Sequence, residues 1–129
     1  MSTCVFFFGG YLATPDDMKA WKASAQAQES DVAFTAYPWP RGTHWSRDSA
    51  VATARSSGLH DEALAAIKAS RAGKTYVVGH SSGCAIANAV DKALEDTGKV
   101  VLVALNGFSP DPRQLERLST QVGGLSAAT

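Results

Sequence analysis

The sequence predicts an α/β domain built on a parallel sheet of about four strands with helices on both faces. Two observations carry that expectation. First, the runs TCVFFF (Thr3–Phe8), the triplet Tyr76-Val77-Val78 and KVVLVAL (Lys99–Leu105) are continuously apolar, as in strands covered on both sides, rather than alternating as in a half-solvated sheet. Second, the order strand, helix, strand, long connection with helix, strand, helix, strand is that of parallel strands joined by right-handed crossovers.

Taken in order, Thr3–Phe8 is a strand ended by Gly9-Gly10. Thr14-Pro15-Asp16-Asp17 opens a helix with a threonine cap, proline in the first turn and acids against the dipole; Met18, Trp21 and Ala25 then face the sheet. Asp31–Tyr37 (DVAFTAY) is a strand with partial alternation. Pro38–Gly58 is the least regular stretch, carrying Pro38, Trp39, Pro40, Gly42, His44 and Trp45 before a Ser/Ala/Thr/Arg-rich part, and is expected to be a long loop. His60–Ala72 is a helix with Leu64 and Ile67 inward and His60 solvated at its start. A further helix, burying Ile86, Val90 and Leu94, runs from the next turn to Gly98. After the KVVLVAL strand, Asp111-Pro112-Arg113-Gln114 has the pattern of a capping box opening a short helix through Leu115 and Leu118. Residues 1–119 form one domain, and Thr120–Thr129 is expected to be a flexible tail.

The chain is organised around Lys74–Asn88, KTYVVGHSSGCAIAN. Gly79-His80-Ser81-Ser82-Gly83 has the G-x-S-x-G spacing, set between a strand and a helix that opens on small residues. A serine lifted on so tight a turn needs small neighbours two residues to either side, because strand and helix nearly collide there. The helix N-terminus behind it offers free N–H groups and partial positive charge to a developing oxyanion. If the strand order reverses between the first strand and this one, the turn lies beside Gly9-Gly10-Tyr11, at the switch point where open α/β sheets hold ligands.

Composition narrows the function classes. Twelve basic residues balance twelve acidic ones, with no dense basic run, so neither nucleic acid nor an anionic membrane surface is indicated as partner. Cys4 and Cys84 have no metal-ligand spacing around them and read as reduced core thiols. The apolar run at Cys4–Phe8 lacks a basic leader and is too short to span a bilayer, so a cytoplasmic protein is expected.

On FFFGGY, the GHSSG turn in its strand–turn–helix setting and the VVLVAL strand, the sequence resembles the α/β-hydrolase fold family in a small form, over the front portion of that fold. The resemblance implies a serine esterase-like hydrolase acting on esters, thioesters or amides through an acyl-enzyme, with no metal or other cofactor and a small-molecule acyl substrate. Ser81 is the implied nucleophile, Gly79 and Gly83 the flanking glycines. The main-chain N–H of Ser82 with that of Gly10 or Tyr11 is the implied oxyanion hole. Asp111 is the candidate acid. The family places its histidine late, yet the only histidines here are His44, His60 and His80, none after Ser81. His80 occupies the variable position of the motif, expected to turn its ring away from the Ser81 hydroxyl. His44, on the aromatic loop, is the candidate base.

A non-catalytic binding or assembly module that keeps the turn as scaffold is the alternative. The last strand, Val100–Leu105, is expected at an open edge with little charge to blunt it, a site for homo-oligomer formation. Composition suggests either that further strands are lost after the small-residue ending GGLSAAT or that a second chain supplies them.

Overall fold

The structure, a computed structural model, describes residues 3–40, 47–94 and 100–105. Four strands, β1 (Thr3–Phe8), β2 (Val32–Tyr37), β3 (Lys74–His80) and β4 (Val100–Leu105), alternate with four helices, α1 (Pro15–Gln28), α2 (Arg47–Ser56), α3 (Leu59–Ala69) and α4 (Gly83–Ala93). All pairings are parallel and the sheet order is β2-β1-β3-β4. The order reverses between β1 and β3, as anticipated, so the loops after these two strands diverge and leave a crevice at their carboxyl ends.

The central strands are apolar throughout because both faces are covered. Phe6, Phe8, Val77 and Leu102 point to one side, where they pack with Ile67 of α3, with Ile86 and Val90 of α4 and with Leu94 at its C-terminal cap. Phe7 and Val78 point to the other side, against Met18 of α1. Helix α1 starts where the sequence indicated. Thr14 Oγ1 accepts from the Asp17 N–H at 3.1 Å, and Asp17 Oδ2 accepts from the Thr14 N–H at 2.9 Å, a reciprocal cap. Met18 is buried, with Trp21 and Ala25 half-buried on the same stripe.

Three expectations need correction. The stretch 38–58 is not a continuous loop, because α2 occupies Arg47–Ser56. Its apolar spacing is carried by alanines: Ala50 and Ala54, one turn apart, are fully buried in the main core, and such small residues let α2 pack closely beside α4. Helix α3 ends at Ala69, capped by Ser70, rather than continuing to Ala72. His60 is not solvated but 7 % exposed, its Nδ1 3.5 Å from Asp61 Oδ1. The last turn of α4 reaches Leu94, and the Gly98 stop, Asp111, the helix through Leu115 and Leu118, and the tail 120–129 all lie outside the described residues. No described helix is long and apolar enough to cross a membrane.

Two buried acids predict how stability responds to base. Burial raises the Cys84 thiol above its ordinary value of 9.0; burial, and secondarily the Glu62 charge, raise the Tyr37 phenol above 10.0. The folded chain therefore holds protons that the unfolded chain has released. Their contribution is complete below pH 9.0 and is lost as pH rises through the folded values. The urea midpoint is expected to be lower at about pH 10.5 than at about pH 7, with a smaller drop in Cys84→Ala.

Candidate functional site

At the end of β3 the chain turns within one residue. Ser81 has φ +52°, a left-handed conformation that is uncommon for a side-chain-bearing residue and is characteristic of strained functional turns. Two hydrogen bonds from different elements hold it there. Its N–H donates to the Leu105 carbonyl of β4 at 2.8 Å, and its carbonyl accepts from the Cys84 N–H of α4 at 3.1 Å.

The flanking glycines are required by contact. A Cβ on Gly79 would lie 2.6 Å from Cys84 Cα and 2.8 Å from Cys84 N. One on Gly83 would lie 2.4 Å from the Phe8 carbonyl oxygen and 2.5 Å from that of Gly9. Helix α4 thus begins pressed against β3 on one side and the end of β1 on the other, which leaves the Ser81 side chain solvent-exposed above the sheet.

The loop after β1 lies alongside. A Cβ on Gly10 would be 3.2 Å from the His80 carbonyl oxygen and 3.4 Å from Ser81 Cβ, so the Gly10 backbone runs against the serine. The sequence left Gly10 and Tyr11 as alternatives for the second oxyanion donor. The Tyr11 N–H donates to the buried Ser82 hydroxyl, whereas the N–H groups of Gly10 and Ser82 have no acceptor among the described residues. The Ser82 side chain is a tether between α4 and the β1–α1 loop. Sequence reasoning missed it, because a second serine in the motif looks the same whether its hydroxyl is solvated or bonded across the site.

Ser81 opens into a cleft of about 610 Å³ walled by the β1–α1 loop, by Met18 and Trp21 of α1, and by Phe7, His80 and Leu105 at the strand ends. The His80 ring borders this space. It lies on the cleft wall facing the Phe7 ring, centroids 6.5 Å apart, although no hydrogen bond joins it to Ser81 among the described residues. The alternation of β3 explains this: His80 shares a face with Tyr76 and Val78, the face that α1 covers.

The described residues therefore bring together Ser81, Ser82, Gly10, Tyr11, Gly79 and Gly83. The candidate base His44 and the candidate acid Asp111 lie outside the described residues, and His60 does not line the cleft. Among the described residues no three His, Cys, Asp or Glu side chains gather as a metal site would require, and both cysteines are free thiols. Compared with known protein families and with characterised proteins, the chain matches neither a family model nor an individual protein.

Proposed function

We propose that the chain is a serine hydrolase-type domain acting on esters, thioesters or amides, with Ser81 as nucleophile. The observation that carries this reading is the left-handed Ser81 at a strand-to-helix turn, with the unbonded N–H groups of Gly10 and Ser82 beside it. Strain at a polar, exposed residue, maintained by two glycines that tolerate no side chain, is costly for folding alone and is what positions a nucleophile.

In this mechanism the Ser81 Oγ attacks the substrate's carbonyl carbon. The new Oγ–C bond pushes the carbonyl electrons onto oxygen, which the Gly10 and Ser82 N–H groups stabilise. Collapse breaks the bond to the leaving alkoxide, thiolate or amine, which takes up the serine proton by way of water. A second water then cleaves the acyl-serine and restores the hydroxyl. The α/β-hydrolase resemblance supports the same assignment. The two free cysteines support a reducing compartment such as the cytoplasm. Hydrolysis of 4-nitrophenyl acetate by the chain, compared with Ser81→Ala, tests the reading: a rate that the substitution leaves unchanged counts against it.

A second reading, an assembly module, is favoured by β4. Among the described residues β4 pairs only with β3, and Val101 and Val103, on the sheet face they share with Tyr76 and Val78, are only half-buried. An uncharged, β-prone edge satisfies its N–H and C=O groups by pairing with a second copy. Sedimentation of the purified chain at micromolar concentration is expected to show self-association, which Val101→Lys shifts towards monomer. A wild-type monomer under the same conditions removes this reading.

A further inference from the structure

We infer that the cleft beside Ser81 receives the acyl part of the substrate as an uncharged, extended apolar chain, and that Leu12 sets the preferred chain length; this rests on the hydrolase reading of Ser81. Three large apolar side chains are exposed among the described residues: Tyr11 at 45 %, Leu12 at 68 % and Leu105 at 42 %. All three line this one cleft. Scattered exposed apolar residues need no explanation, but convergence on the space in front of a strained serine does.

Leu12 adds an independent observation. Its φ of +66° puts a leucine in the left-handed region, so the chain bears both backbone strain and apolar exposure at one residue. Neighbouring bonds hold it there: the Tyr11 N–H on Ser82 Oγ, the Ala13 N–H on the Gly10 carbonyl at 2.9 Å, and the Trp39 N–H on the Ala13 carbonyl at 3.0 Å. The left-handed φ belongs to the Gly10–Ala13 turn, which holds the Leu12 side chain out over the cleft; an apolar chain covering it would remove its exposure.

The opposite wall is pre-formed. The Trp21 ring stacks on Phe7 with centroids 3.9 Å apart and meets the Phe34 ring edge-on at 5.6 Å, so it presents a fixed apolar surface. Among the described lining residues Asp17 is the carboxylate and no lysine or arginine is present, so away from His80 and the N–H groups beside Ser81 a substrate carboxylate would have no cation opposite. A neutral chain needs none.

Octanamide, butanamide and octanoate, titrated into the full chain and followed by amide shifts in NMR, test this. Each buried methylene strengthens binding about fourfold, so octanamide is expected to bind at least about tenfold tighter than butanamide even when partly covered, and tighter than octanoate. Leu12→Gly and Leu12→Asn, both compatible with a left-handed backbone, are expected to erase most of that chain-length preference, with the melting temperature of Leu12→Gly unchanged or raised. Equal binding of the two amides, a preference that survives both variants, or no octanamide binding because the chain's own residues after Leu105 fill the cleft would each overturn the inference. The two levels separate cleanly. A chain that shows the octanamide preference while Ser81 resists a fluorophosphonate retains the apolar site and loses the hydrolase reading. A chain whose Ser81 reacts while the amides bind alike loses this inference alone.

Discussion

Replacing Gly83 with alanine is expected to destabilise the fold by about 3 kcal/mol or more, lowering the melting temperature by roughly 10 °C. Helix propensity alone argues for the opposite sign, since alanine is favoured over glycine in helices by about 1 kcal/mol. Packing decides, because the new methyl would sit 2.4 Å and 2.5 Å from the carbonyl oxygens of Phe8 and Gly9. Both oxygens belong to backbone at the end of a buried central strand and cannot rotate aside. Either α4 tilts off β1, exposing part of the Ile86 and Val90 contact, or the β1–α1 loop shifts and carries Gly10 away from Ser81. Gly58→Ala provides the control: Gly58 has φ +85° but nothing within 4 Å of its would-be Cβ, so only backbone strain of about 1–2 kcal/mol applies. Urea unfolding of the two variants that gives Gly83→Ala the smaller loss would contradict the proposed crossing of α4 over β1.

Turnover of 4-nitrophenyl acetate is expected to be slow and to depend on Ser81. A serine hydroxyl without a bonded base is a weak nucleophile, and the oxyanion donors and binding alone retain only about 10³–10⁴-fold acceleration over water. Ser81→Ala removes the acyl-enzyme route and is expected to return the rate to background. Among the described residues no base is bonded to Ser81, so free imidazole near neutral pH is expected to accelerate the wild-type chain beyond the sum of the protein and imidazole rates, and not to do so for Ser81→Ala. Fast turnover without imidazole would identify a base within the chain or its assembly, with His80 on the cleft wall and His44 as the first to replace.

Much of the fold was legible because burial on both faces writes continuous apolar runs: TCVFFF and VVLVAL coincide with β1 and the body of β4. Punctuation was equally readable at Thr14-Pro15, where the cap residues have few other uses. Helix α2 was not, since its buried stripe consists of Ala50 and Ala54 and leaves little contrast with a small-residue loop. His60 shows the same limit for polar residues: position near a helix start says nothing about what packs over it. At the site, the glycine spacing around Ser81 signalled a collision that the structure displays directly in the distances at Gly79 and Gly83. What separates Gly10 from Tyr11 is one hydrogen bond, donated by the Tyr11 N–H to the Ser82 hydroxyl 71 positions away, which no local pattern encodes.

Intact-mass and peptide analysis after prolonged exposure to a small alkyl fluorophosphonate tests Ser81 most directly. Reaction forms an Oγ–P bond, expels fluoride and leaves the phosphoryl oxygen facing the Gly10 and Ser82 N–H groups. Slow formation of a single adduct on Ser81, absent in Ser81→Ala, is the expected result. No adduct, or an adduct elsewhere that persists in Ser81→Ala, would contradict the assignment of Ser81 as the nucleophile.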